Sequence, residues 1–158
     1  MNLEKQVTSL ELSKELKNLG INQESLFYWH NLDSIPSIIC SHWYPERSGD
    51  FFVSAFTMAE LLHLLPMHIT IKGDEPFDNY RLQITSSVVV KNPEHIDPVR
   101  TTIVNYRCDA ISMENKETIL AGALGRYLSK NMWDENPADA LAKMLIYLME
   151  NNFMDVHQ

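Results

Sequence analysis

Apolar residues recur at helical intervals near both ends of the chain and alternate with polar ones in its middle, so helices should flank a sheet. The first helix starts at Thr8, which can cap it, with Glu11 three residues on as a capping box requires. Leu12, Leu16 and Leu19 form its apolar stripe and Gly20 stops it. A short central helix carries the same signature, Thr57 with Glu60, followed by Met58, Leu61, Leu62 and Leu65 before Pro66 forbids continuation. The closing helix is the most clearly written. Asn136 caps it, Pro137 takes the first position, Asp139 favours the positive dipole end, and Leu141, Leu145 and Leu148 mark an apolar face that should pack on the sheet. Asn151 and Asn152 suit its end, with Phe153 and Met154 beyond as a hydrophobic clasp.

Between the helices the period changes to two. Residues 24–30 read as a strand buried on both faces, Phe27 and Trp29 on one side, Leu26 and Tyr28 on the other. A second extended piece, 35–43, runs into a turn at 44–50, across which 51–55 pairs back. His68, Thr70 and Lys72 alternate with Ile69 and Ile71, and Tyr80, Leu82 and Ile84 with Arg81, Gln83 and Thr85. These half-buried strands, joined through the turn-rich 73–79, predict an antiparallel hairpin that Val88, Val89 and Val90 extend. Asn92, Pro93 and Pro98 break the chain before a last strand over 101–109. Residues 110–130 mix Ile119, Leu120, Leu124 and Leu128 with Gly122 and Gly125, which leaves a short helix or an irregular insertion.

The pattern predicts an α+β fold: a single domain over 1–158 with an antiparallel sheet of about four to six strands, packed with the N-terminal, short central and C-terminal helices. A chain of 158 residues, 45% hydrophobic and 22% charged, is long enough for one core. The formal charge of −8 argues against a broad phosphate-binding surface, so nucleic acid is not the expected partner. Cys40 and Cys108 lack metal-type or CxxC spacing and are expected to be reduced thiols. No apolar run has the length of a membrane span, and Glu4 and Lys5 interrupt the start where a signal peptide needs an apolar stretch; the expected location is the cytoplasm.

Several blocks carry a family resemblance. The run Asn-Pro-Ala-Asp-Ala-Leu-Ala-Lys-Met-Leu-Ile-Tyr-Leu-Met-Glu-Asn-Asn at 136–152 resembles the closing segment of a family of small proteins carried by Bacteroides-type bacteria and their phages. Glu-Leu-Ser-Lys-Glu-Leu-Lys-Asn-Leu-Gly at 11–20 with Gln-Glu-Ser-Leu-Phe-Tyr-Trp at 23–29 is similar to its opening, 55–66 to its middle helix, and Asn-Tyr-Arg-Cys at 105–108 to its last strand. The resemblance spans most of the chain, with 110–130 as a variable insertion. It implies a mobile or prophage-borne accessory product, and it carries no assigned activity and no catalytic residue over.

The search for chemistry therefore rests on the residues. His30, His42, His63, His68, His95 and His157 form no HExxH and no helical i, i+4 pair; a metal set of His30, His42 and Asp33 is the weaker alternative to structural histidines, and no cofactor is expected. No GxSxG surrounds a serine, Cys108 has nothing local to lower its thiol pKa, and Gly122-x-x-Gly125 lacks the rest of a phosphate loop. Glu11 and Glu60 are nominal acids already committed to helix starts. One stretch reads as a ligand rim: His42, Trp43, Tyr44, Glu46 and Arg47, of which Trp43, Tyr44 and Arg47 are the candidate binding residues because aromatic faces beside a guanidinium stack a base or grip a phosphate. Trp29 and Arg107 join it only if their strands lie nearby. The expected function is a non-enzymatic binding protein with a protein or small-molecule partner, in which a homo-oligomer is also accommodated. The alternative is a small hydrolase or nucleotide-processing enzyme whose site assembles only in the fold.

Overall fold

A computed structural model describes residues 3–32, 35–41, 52–71, 78–92, 95–108, 126–127 and 132–154. The fold is α+β and its strands are antiparallel, as the alternating pattern predicts, but they divide between two sheets. The smaller has the order β2-β1-β3, from β1 (Phe27–Leu32), β2 (Ile35–Cys40) and β3 (Phe52–Ser54). The larger has the order β4-β5-β6-β7, from β4 (His68–Ile71), β5 (Asp78–Asn92), β6 (His95–Cys108) and β7 (Arg126–Tyr127), with β8 (Met132–Asp134) also on β6. No described helix is long and apolar enough to cross a membrane.

Among the described residues the α-helices are α1 (Leu10–Asn18), α2 (Met58–Leu64) and α3 (Pro137–Glu150). Two of their three starts follow the local code. Thr57 accepts from Glu60 N–H while the Glu60 carboxylate accepts from Thr57 N–H at 2.7 Å, a complete capping box. Asn136 accepts from Ala138 N–H at 3.1 Å, with Pro137 at the first helical position. The start of α1 does not follow it. Ser9, not Thr8, is its N-cap, and the Ser9 side chain makes no cap bond. The Ser9 N–H instead donates to Asp139 Oδ1 at 2.7 Å, so the carboxylate that Glu11 was expected to supply comes from the third helical position of α3. Thr8 is buried, its hydroxyl 2.7 Å from that of Ser13 and accepting Phe56 N–H at 3.0 Å.

Both long helices end as the sequence indicates. At Gly20 the φ of 86° lets Ile21 N–H reach back to Leu16 C=O and Gly20 N–H to Lys17 C=O. Asn152, with φ 55°, closes α3 the same way through Phe153 N–H to Leu148 C=O at 2.8 Å, and Phe153 and Met154 pack on the core.

The core lies between α3 and one face of the larger sheet. Leu141, Leu145 and Leu148 are fully buried, and so are Ala140, Ala142 and Met144, because α1 and α2 pack on α3 as well as β6 and β8. The helix is thus enclosed nearly all round rather than along the single face its leucines mark. Ile69, Tyr80, Leu82, Val104 and Tyr106 supply the sheet side, and the Tyr106 hydroxyl donates to Pro66 C=O. A second cluster of Val7, Trp29, Val53 and Ala55 underlies the smaller sheet.

Several strand expectations change. β1 begins at Phe27, and Tyr28 and Trp29 are buried, whereas Leu26 is 58% exposed. β3 pairs with β1 rather than with β2. The β4–β5 hairpin forms as predicted. β6 starts six residues before the expected 101, and Pro98 lies inside it opposite Val90, since a strand tolerates Pro where it needs no second ladder. Of 110–130, only the two residues of β7 fall among those described, and β8 had no counterpart in the sequence reading.

Candidate functional site

Two polar regions flank β8, and their side chains differ in what they already bond. The first is a cleft of about 540 Å³ where α3 starts, lined by Glu4, Lys5, Arg100, Trp133, Asp134, Glu135, Asn136 and Asp139. Its size is that of a small-molecule site. Its central polar groups, however, are engaged in holding the fold. Asp134 accepts Asn136 N–H at 2.8 Å and Lys143 Nζ at 2.6 Å. Asn136 donates Nδ2–H to Val7 C=O at 2.7 Å while its Oδ1 caps α3. Asp139 holds Ser9. Burial pushes the Asp139 carboxyl above its ordinary range and the charge of Asp134 adds to this, against the Ser9 bonds and Lys143. The cleft is the seam by which α3 ties down the N-terminal segment.

The second region is the outer face of the larger sheet, turned away from α3. Tyr80, Leu82, Val104, Tyr106, Ile69 and Met132 belong to the core side, and the alternation of a strand sends their neighbours to the other. The registers order those neighbours in rows. His68 pairs with Arg81, Arg81 with Arg107, and Arg107 with Tyr127. The next row is Gln83 with Asn105, and the third is Thr85 with Ile103 and Ile103 with Trp133. Thr70 and Asn79, Ser87 and Thr101, and Val89 and Val99 are the other paired positions of this parity, and Asp97 follows Val99 at the far end of β6. None of the paired positions is Asp or Glu, in a chain with 21 acidic residues against 13 Lys and Arg.

Three features of this face lack partners. Arg81 is exposed and makes no ion pair among the described residues, and its cross-strand neighbour is another arginine position, an arrangement that like charges make unfavourable. Asn105 is only 6% exposed, and its buried Oδ1 accepts no hydrogen bond, a cost of about 1–3 kcal/mol in a folded protein. Trp133 is 62% exposed, the highest among the exposed large hydrophobic residues described. Thr101 is also buried here.

Trp43, Tyr44 and Arg47, with His42 and Glu46, lie outside the described residues. Trp29 does not join Arg107: it is buried in the smaller sheet, where its Nε1–H donates to Thr8 C=O at 2.8 Å. Of the metal alternative, His42 and Asp33 fall outside the described residues, and His30 is buried and stacked on Phe52 with ring centroids 4.7 Å apart. Among the described residues no three His, Cys, Asp or Glu side chains come together as a metal site. Glu60 stands where its helix-start role requires. Burial pushes its carboxyl up, but bonds from the Thr57 side chain, Thr57 N–H, Leu26 N–H and Ser25 outweigh this and hold it below its usual range. Cys40 is a free, half-buried thiol at the end of β2. The sequence reading missed Arg81, Asn105 and Trp133. The signal was the polar half of the 81–85 alternation, which solvent exposure explains equally well. Compared with protein-family models, curated proteins and solved structures, the chain matches none.

Proposed function

We propose that the chain is a small non-enzymatic binding protein that receives an anionic group on the outer face of its larger sheet. The observation that carries this reading is the Arg81–Arg107 cross-strand pair, in a stretch of the face whose paired positions include no carboxylate. An anion between two such positions removes their mutual repulsion and supplies the charge-assisted bonds that guanidinium groups form with phosphate or carboxylate. The net charge of −8 disfavours a broad phosphate surface, yet it does not exclude a local row of paired positions that holds arginines and no acid. The binding class is the one expected from the sequence, with the surface moved from the 43–47 rim to the sheet. The resemblance to proteins of Bacteroides-type bacteria and their phages supports an accessory role in the cytoplasm of such a host. A hydrolase would need a nucleophile or an acid–base pair at this face, and its paired positions hold no carboxylate and no thiol.

The test is calorimetric titration with pyrophosphate at low salt. Arg81→Glu should weaken binding at least tenfold while leaving the fold intact, because the Arg81 side chain is exposed and a carboxylate there stands at the position paired with an arginine. Equal binding by the wild type, Arg81→Glu and Arg107→Glu would remove the proposal.

A further inference from the structure

The same face carries more than charge, and the geometry points to a nucleotide unit as its ligand. This inference rests on the anion-binding reading and adds to it a base-recognition half. The three rows stand in order along β6: Arg107, then Asn105, then Ile103 with Trp133 beside it. The arginine row is therefore about 14 Å from the indole row along the strand direction, with the amide row midway. A nucleoside polyphosphate or two linked nucleotides match that order: phosphate at the arginines, a base edge over the amides, and a ring on the indole.

Each row supplies what its part of the ligand needs. Trp133, exposed at the edge of the sheet, offers an aromatic face on which any base stacks. Asn105 and Gln83 are directly paired: the half-buried Gln83 offers its amide to a base edge, beside an Asn105 Oδ1 that is buried and has no hydrogen bond among the described residues. Arg81 is exposed and makes no ion pair among the described residues. Pyrophosphate alone would satisfy the last feature and leave the other two unexplained. The three rows carry no acid, so a phosphate at the arginines meets no carboxylate at the paired positions beside it, while Asp97 lies ten residues away along β6.

The experiment compares tripolyphosphate, the four common ribonucleoside triphosphates and a ten-nucleotide single-stranded DNA, by calorimetry and by amide chemical-shift mapping on the whole chain. At least one nucleotide probe should bind about tenfold or more tighter than tripolyphosphate, with shifts on β5, β6 and β8. Trp133→Ala, at an exposed position, should erase that gain and keep tripolyphosphate binding unchanged. Asn105→Leu should reduce discrimination among the bases. Affinity that rises from triphosphate to decamer assigns the site to a single strand, and equal affinity assigns it to free nucleotides. Nucleotides that bind no tighter than tripolyphosphate, or a Trp133→Ala chain that retains the full gain, overturn the inference and leave anion binding standing. Failure of every probe, tripolyphosphate included, overturns both.

Discussion

The cleft at the start of α3 and the outer face of the larger sheet meet at Trp133, and they use polar residues in opposite ways. In the cleft, Asp134, Asn136 and Asp139 each bond one or more backbone groups or a lysine, joining segments as distant as Ser9 and Asp139. On the sheet, among the described residues, Arg81 stands without an ion pair and Asn105 Oδ1 without a donor. A concave shape with many charges is therefore the poorer guide to function here. Polar groups whose bonding is complete stabilise the fold, whereas groups left incomplete in a folded chain reserve their bonding for something else.

The largest effect expected from breaking this contrast is on stability, at Asn136. Its side chain both caps α3 and donates to Val7 C=O, so Asn136→Ala removes a cap and leaves a partly buried carbonyl without its donor. The two losses together should cost about 2 kcal/mol, a fall in Tm of roughly 4–8 °C, read by urea and thermal unfolding. Anion binding to the sheet should not change. A variant that loses binding in step with stability would show that the two regions are not separate.

Asn105→Leu should move the other way and by less. Replacing an orphaned amide with an apolar group of similar size should stabilise the chain by about 1 kcal/mol, measured by urea unfolding, while base discrimination falls. A destabilised Asn105→Leu chain would mean that the amide has a structural partner and that the sheet face resembles the cleft after all.

How much of this was legible depended on the sequence distance over which the bonds act. The capping boxes and stops that close within a few residues, Thr57 with Glu60, Asn136 with Pro137, and Gly20, were readable because their geometry is local. Ser9 was not, since its carboxylate partner is 130 positions away. The alternation at 81–85 gave the strand and its core face, yet the register that sets Arg81 opposite Arg107 is a long-range property with no local trace. The same holds for the division into two sheets: β3 joins β1 by pairing choices that hydrophobic pattern leaves open. The three-residue β8, which brings Trp133 to the sheet, is too short for a period to declare itself.

The smallest effect is in the pH dependence, and it separates two carboxylates at the same helical position. Glu60 and Asp139 are each third in their helix, and both accept a backbone N–H of a capping residue, Thr57 in one case and Ser9 in the other. Glu60 is held below its ordinary value by hydrogen bonds that outweigh its burial, so its folded form resists protonation. Its contribution is present above about pH 4 and is lost as the pH falls through the lowered value. Asp139 is raised by burial and by Asp134, so the folded chain holds its proton more tightly than the unfolded one. That stabilisation is complete below about pH 4 and is lost as the pH climbs through the raised value. Asp139→Asn keeps an oxygen for Ser9 N–H and removes the ionisation, so it should flatten the decline above pH 4 and leave neutral stability equal or slightly higher. Glu60→Gln should lower neutral stability and flatten the loss on the acid side. Both groups are partly open to solvent, so the differences should be small and should shrink further in high salt. Unfolding curves from pH 3 to 7 measure them, and parallel behaviour of the two variants would mean that the cleft does not strain its carboxylate.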